Sequence, residues 1–272
     1  MINTGMLKYY SHLKKILADQ KYNLIILTLF CFLFEYLFAW IFFESGVSKI
    51  VASFIQRLPP AFTTFIGVQG GAGQFATQML AFGYTHPIII ISLAFLQVSI
   101  PARYITGEIE LKTFDILLTK PLKRFIIPLS IFTFLIIALG LQFIAIFLGT
   151  IAGNFYFDLQ INIADYGKAA FVGFVFFLSM GSMAIAICTF QIEKGKALGK
   201  TIGLIVVLYF FDTIIKLSKS LDYLYSYSYF QLYQPGKLVQ NQADAGVCVL
   251  ISLVLTGLFL MVAILQFNKR DL

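Results

Sequence analysis

Two carboxylic acids inside long apolar runs are the side chains best placed to do chemistry. Glu35 lies in the run 22–43, and Asp212 lies in the run 201–217. A charged side chain at the centre of a membrane costs about 2.5–3.5 kcal/mol on insertion scales, so each acid is a functional candidate by default. Lys216 follows Asp212 at the spacing of a helical ion pair, which we expect here. Glu35 has no such local partner, so it either lines a polar path or pairs across a helix interface.

The motifs of nucleotide-binding and metal-dependent enzymes are missing from the sequence. Residues 195–201, GKALGKT, resemble a phosphate-binding loop, but three residues separate the glycines where four are required. The two histidines, His12 and His86, are too few for histidine-based catalysis. The three cysteines lie in apolar runs, without the spacing of a metal site or a disulfide. We therefore expect no catalytic residue and no metal site in this chain.

A charged segment at residues 103–124 separates two apolar runs that are each long enough to cross a membrane. It contains five Lys or Arg residues and three acids. A polar segment in this position must function in water, so we interpret it as a surface for a soluble partner. The alternative is an ordinary polar loop whose basic residues hold the topology.

The same segment has the features of a short helix. Thr113 is suited to be the N-cap, because its hydroxyl can accept from the free N–H groups of the first turn. Phe114, Leu117 and Leu118 then share one face of the helix. Asp115 falls in the first turn, where an anion is favoured. Pro121 ends the helix.

The composition is that of an integral membrane protein. Of the 272 residues, 59% are hydrophobic and 12% are charged, whereas soluble domains contain about 25% charged residues. The net charge of +7 does not indicate nucleic-acid binding, because basic residues in membrane proteins chiefly set orientation. We predict an all-α polytopic membrane protein with a single transmembrane domain over residues 1–272.

Six apolar runs predict six transmembrane helices. They cover approximately residues 22–43, 83–102, 125–150, 169–192, 201–217 and 245–268. The first run follows 21 residues and is long enough to span, so we expect a retained anchor. Of the Lys and Arg residues, 14 lie on the N-terminal side of the predicted spans and 6 on the other side. The positive-inside rule then places both termini and residues 103–124 in the cytoplasm.

Two segments outside the spans are predicted to lie at the membrane surface. Residues 1–21 form an amphipathic helix, in which Tyr10, Leu13 and Leu17 share one face, and such a helix lies along the interface. Residues 218–244 form an external segment, where tyrosines typically lie in the interfacial belt. The tyrosines are Tyr223, Tyr225, Tyr227, Tyr229 and Tyr233.

The charged segment also carries the residue pattern of a known family. It contains Gly107-Glu108-x-Glu110, followed by Thr113, Leu117-Leu118, Pro121 and Arg124, and the chain also has His86-Pro87 and Phe267-x-x-Arg270-Asp271. With the six-span layout, these residues resemble the membrane subunits of type-2 ABC exporters. Lys112 departs from the family pattern, which has glycine before the threonine.

The resemblance implies that residues 103–124 form a coupling helix between spans two and three, in contact with a separate ATPase. The implied ATPase-coupling residues are Glu108, Glu110, Thr113, Phe114, Asp115, Leu117, Leu118, Pro121 and Arg124. It also implies a dimer of permease subunits, here a homodimer, with two copies of the ATPase subunit. ATP and Mg would be held by the ATPase, so we expect no cofactor in this chain.

We therefore predict the permease subunit of an ABC exporter in the cell (inner) membrane. It would move a hydrophobic or amphipathic substrate out of the cytoplasm or the inner leaflet, with Glu35 and Asp212 as pathway or interface candidates. Two alternatives stay open. In the first, the chain is an integral-membrane enzyme that acts on lipid, with Glu35 as acid or base. In the second, it is a non-catalytic membrane assembly factor.

Overall fold

A computed structural model of the protein describes residues 4–43, 53, 57, 79–112, 123–159 and 161–270, and none of these lies in a β-strand. The helices, numbered along the chain, are α1 (Thr4–Phe43), α2 (Pro87–Pro101), α3 (Ile126–Phe157), α4 (Ile163–Thr189), α5 (Lys194–Leu217), α6 (Pro235–Val239) and α7 (Ala245–Lys269). A π-helical turn, Ala102–Gly107, and a helical turn, Glu108–Glu110, continue α2. Two 3₁₀ segments, Lys219–Tyr227 and Tyr229–Leu232, precede α6.

Within the described ranges, six helical segments are long and apolar enough to cross a membrane. They are Tyr9–Ile41, Met79–Glu110, Ile126–Phe157, Ile163–Thr189, Lys194–Leu217 and Ala245–Lys269. The prediction of an all-α membrane protein with six transmembrane helices is therefore confirmed. Several helices are longer than their apolar runs, because flanking polar residues continue them until a capping residue is reached.

Polar side chains fix where several spans begin. The Asn162 side chain accepts from the Ala164 N–H at 3.2 Å at the start of α4. The Asp244 carboxylate accepts from the Gly246 N–H at 2.8 Å at the start of α7. His86 caps α2, where its ring accepts from the Ile88 N–H at 3.4 Å. Each cap satisfies an N–H group that has no partner inside its helix.

The predicted interfacial helix at residues 1–21 is not a separate element, because α1 is continuous from Thr4 to Phe43. Its first turns pack on the start of α3. The Tyr9 hydroxyl donates to Thr133 Oγ1 at 2.6 Å, and His12 Nδ1 lies 2.6 Å from Ser130 Oγ. The position of this segment along a membrane surface stays a prediction.

α4 is the central helix of the bundle, in contact with α2, α3, α5 and α7. In its most apolar stretch 83% of the residues are buried, compared with 17% for α5 and for α7. α1 packs chiefly on α3. We call the bundle end near the α1 N-terminus and Glu110 the N-terminal side. The other end, near Asp158 and Asp244, is the opposite side.

Candidate functional site

The predicted coupling residues divide between described and undescribed parts of the chain. Glu108, Glu110 and Arg124 are described and lie on the N-terminal side of the bundle. The other six lie outside the described residues: Thr113, Phe114, Asp115, Leu117, Leu118 and Pro121. The structure therefore describes the two ends of the charged segment, where it joins the second and third spans.

The second span ends at a residue with left-handed backbone geometry. Lys112 has a φ of 53°, directly after the turn that follows Glu110. Left-handed geometry disfavours a residue with a Cβ by about 1–2 kcal/mol, and glycine avoids this penalty. The position at which the sequence departs from the family pattern is therefore the position whose backbone favours glycine. Lys112 adopts this left-handed geometry despite its side chain.

Glu108 joins the second span to α1. Its carboxylate lies 3.3 Å from Lys15 Nζ, and the two side chains are 19% and 51% exposed. One turn away, the Tyr104 hydroxyl donates to Asp19 Oδ2 at 3.0 Å. Gln20 Nε2 donates to the same hydroxyl at 3.4 Å. An exposed ion pair stabilises a protein by only about 0–1 kcal/mol. This contact therefore matters more for how it positions the second span against α1 than for the stability it adds.

Glu110 caps the N-terminus of α5. Its carboxylate accepts from the Lys194 backbone N–H at 2.8 Å. Glu193, the residue at the N-cap position, makes no capping hydrogen bond of its own. The N-terminus of a helix favours an anion by about 0.3–1 kcal/mol. It does not favour cations such as Lys194 and Lys196, which lie in the first turn of α5. α5 thus depends on the second span for part of its N-terminal cap.

We expect Glu110→Ala to loosen the first turn of α5, because the cap is lost. A lost cap costs about 1 kcal/mol, so amide hydrogen exchange at residues 194–197 should be about fivefold faster in the purified protein. Glu193→Ala is the matched control, because that carboxylate makes no cap bond and the change should be smaller. Equal exchange in Glu110→Ala and the wild type would show that the contact is not formed in the membrane.

Arg124 joins the start of α3 to the ends of two other spans. Its guanidinium donates to the backbone carbonyl of Arg270, just after α7. The Arg270 guanidinium in turn donates to the carbonyl of Thr189 at 3.0 Å. Carbonyls at a helix C-terminus have no partner within the helix and favour cations. The two arginines therefore connect the ends of α3, α4 and α7.

Both ends of the charged segment are thus attached to other helices of the same subunit. Glu108 contacts α1, Glu110 contacts α5, and Arg124 contacts the residue after α7. These three residues were predicted as coupling residues from the family pattern, and their role in binding an ATPase stays a prediction. We call them the linking residues.

Glu35 lies inside the subunit, where α1, α3 and the start of the second span meet. Its side chain is 1% exposed, and Oε1 accepts from Thr150 Oγ1 at 3.4 Å. The Tyr84 hydroxyl is 2.8 Å from the same Thr150 oxygen. Oε2 is buried against Gly83 and has no hydrogen-bond partner among the residues that the structure describes. Glu35 therefore lies at a helix interface within the subunit, and its role as a pathway or interface residue stays a prediction.

Two glycines of α3 bring it very close to α1 beside Glu35. A Cβ at Gly149 would lie 2.7 Å from the Phe32 carbonyl oxygen, and a Cβ at Gly153 would lie 2.7 Å from the Ala39 Cβ. The pair has the small-xxx-small spacing with which membrane helices approach closely. These two residues were not predicted from the sequence, although Gly-x-x-x-Gly inside an apolar run was the available signal.

Asp212 forms the predicted ion pair on α5. Its Oδ2 lies 2.6 Å from Lys216 Nζ, and its side chain is buried while that of Lys216 is 26% exposed. The Ser228 hydroxyl donates a short hydrogen bond to the other carboxylate oxygen. Asp212 therefore ties the end of α5 to the 3₁₀ segments that follow it. Its role in a transport pathway stays a prediction.

The segment 218–244 enters the bundle at two of its tyrosines. The Tyr229 hydroxyl is 2.6 Å from Ser179 Oγ, past the midpoint of α4, and Tyr233 stacks on Phe176 at 5.6 Å. Tyr223 and Tyr227, in contrast, are 71% and 79% exposed. The structure therefore has Tyr229 and Tyr233 inside the bundle and not in the predicted belt. A surface position for the rest of the segment stays a prediction.

Across the described ranges, no three His, Cys, Asp or Glu side chains are placed to hold a metal ion. His86 is a helix cap that packs on Phe34 at 5.0 Å. Residues 195–201, which resemble a phosphate-binding loop in sequence, are helical and lie in the first two turns of α5.

Comparison with known proteins agrees with this architecture. A family described as ABC-2 family transporter protein matches residues 19–272, which is nearly the whole chain. No curated protein matches the chain. The match covers the larger part of the first span, the other five spans and all three linking residues. The chain therefore belongs to the ABC-2 family and is the permease component of an ABC transporter.

Proposed function

We propose that this permease is an exporter subunit that moves a hydrophobic or amphipathic substrate outward. Two copies of a separate ATPase subunit, which hold ATP and Mg, would supply the energy. Residues 103–124 would be the contact with that ATPase. The observation that carries the proposal is the attachment of both ends of this segment to three other helices through the linking residues.

The linking residues suggest how movement of the segment would reach the spans. An ATPase that displaces the segment pulls on α1 through Glu108 and on the start of α5 through Glu110. It also pulls on the end of α7 through Arg124. In this proposal the apolar residues of the coupling helix bind the ATPase, and the linking residues position the other helices. Thr113, Asp115 and Pro121 set the bounds of the coupling helix.

We also propose the orientation and the assembly. The excess of basic residues on the N-terminal side supports cytoplasmic termini in the cell (inner) membrane. α5 and α7 carry mostly exposed apolar side chains, which need lipid or a second subunit as cover. A homodimer would supply that second subunit and place the substrate path between the two copies.

The test is purification of the tagged protein from its own membranes in a mild detergent. We expect a nucleotide-binding subunit to co-purify in equal amount with the permease, and the complex to hydrolyse ATP. A permease that purifies without a nucleotide-binding subunit and by itself converts a membrane lipid would contradict the proposal. That result would favour an enzyme.

A further inference from the structure

A lateral groove between α1 and α3 opens to the membrane. Its volume is about 440 Å³. Residues that line it are Leu24, Ile25, Thr28, Leu29, Leu141 and Leu148. Ile25 and Leu29 are 62% and 56% exposed, so the groove is open along its length and is not a sealed cavity.

The groove has the length of one leaflet. On α1 it extends from Leu24 to Phe32, which is about 12 Å at 1.5 Å per residue. One leaflet contributes about 15 Å to a hydrocarbon core of about 30 Å. The groove is therefore long enough to hold most of one acyl chain.

Two cations lie on the same face of α1, beyond the N-terminal end of the groove, and one of them, Lys21, has its Nζ 4.8 Å from the centre of the exposed Tyr22 ring. Lys21 precedes Leu24 and Ile25 by three and four residues, which is the spacing of neighbours on one helix face. Lys14 lies seven residues earlier on that face. Both lysines are exposed, and neither forms an ion pair with a described residue. Asp19 points elsewhere, since it accepts from the Tyr104 hydroxyl.

Thr28 adds a polar group inside the groove. Its hydroxyl oxygen is buried and has no hydrogen-bond partner in the part of the chain that is described. A buried hydroxyl without a partner is unfavourable by about 1–3 kcal/mol. An occupant with an acceptor oxygen, such as the ester carbonyl of a glycerolipid, would satisfy it.

We propose that this groove binds an anionic glycerophospholipid of the leaflet on the N-terminal side. One acyl chain lies along the groove, and the phosphate lies against Lys21, with Lys14 adding attraction from further out. A helix of a second copy is the other occupant to consider, but it would cover Lys21 with apolar surface, which is unfavourable for a cation that forms no ion pair with a described residue. The inference does not depend on the proposed export function.

The test uses a single tryptophan beside the groove. Trp40 is the only tryptophan in the chain, so Trp40→Phe provides a background into which Ile26→Trp is introduced. Ile26 is 64% exposed and does not line the groove. The protein is reconstituted in vesicles that contain phosphatidylglycerol or phosphatidylcholine with brominated chains, and fluorescence quenching is measured against lipid fraction.

We expect brominated phosphatidylglycerol to bind about fivefold more tightly than phosphatidylcholine at this reporter, the effect of one lysine near the membrane surface. Lys21→Gln should remove the preference, and Lys21→Arg should retain it. The control reporter is Leu253→Trp on α7, 48% exposed and far from basic residues in sequence, where we expect no preference. Equal quenching by both lipids at the Ile26→Trp reporter would overturn the proposal. Quenching by neither lipid would also overturn it, because the groove would then be covered by protein.

Discussion

Phe114→Asp is expected to weaken binding of the ATPase subunit about thirtyfold, which corresponds to a loss of about 2 kcal/mol. Phe114 is a large apolar side chain in a segment predicted to face water, and the predicted helix places it on one face with Leu117 and Leu118. A single short helix makes a small contact, so a few buried side chains should contribute most of the binding energy. Leu117→Asp should have a similar effect. The measurement is retention of the ATPase on the immobilised permease in detergent.

Tyr227→Asp is the matched control for the coupling variants. Tyr227 is also aromatic, is 79% exposed and lies on the opposite side of the bundle. All three variants should be present in the membrane at normal levels, because none of the changed residues lies in a predicted span. Retention of the ATPase by both coupling variants would show that residues 103–124 are an ordinary polar loop and not the contact with the ATPase. Loss of binding in Tyr227→Asp as well would indicate a folding defect.

Gly149→Ala is expected to destabilise the protein, with a loss of about 1–3 kcal/mol from overpacking. The added Cβ would be 2.7 Å from the Phe32 carbonyl oxygen and 2.9 Å from the Glu35 Cβ. The first of these atoms belongs to the backbone, so α1 and α3 must move apart. Thermal unfolding in detergent measures the change, and the midpoint should fall by several degrees, at about 2–4 °C per kcal/mol.

Gly140→Ala provides the control on the same helix. A Cβ at Gly140 meets only the Phe174 ring, at 3.9 Å, which is an ordinary contact. Alanine is also the better helix former by about 1 kcal/mol, so this variant should be as stable as the wild type or more stable. If the two variants unfold at the same temperature, α1 and α3 do not approach as closely as the structure indicates.

The spans and the local contacts were predictable from the sequence, because they depend on properties of short stretches. Apolar runs predicted six membrane helices, and the four-residue spacing of Asp212 and Lys216 predicted their ion pair. The continuity of α1 was missed, because a charged stretch ahead of a span suggests a change of direction. In fact its first turns stay helical and pack on α3.

The partners of the linking residues were not predictable. Glu108 meets Lys15 and Glu110 meets the Lys194 amide, over separations of 93 and 84 residues. No local sequence pattern predicts which distant helix end will lie beside a given acidic residue. The family pattern singled out these residues for contact with an ATPase, and that contact stays a prediction. Tyr229 and Tyr233 were misplaced for a similar reason, because burial in the bundle depends on how the segment folds back on α4.

α5 is held by hydrogen bonds near its two ends, and the stretch between them is only partly buried. Glu110 holds its first residue, and Asp212 holds the other end through Ser228. Its described buried residues are Ala197, Thr201, Asp212 and Ile215, so none falls in the stretch between Thr201 and Asp212. A helix of 24 residues, about 36 Å long, would therefore lose few fully buried contacts if it moved about its Asp212 end. The central helix α4 is buried along most of its length and would lose many more contacts on moving, so α5 would be the helix of this subunit that moves.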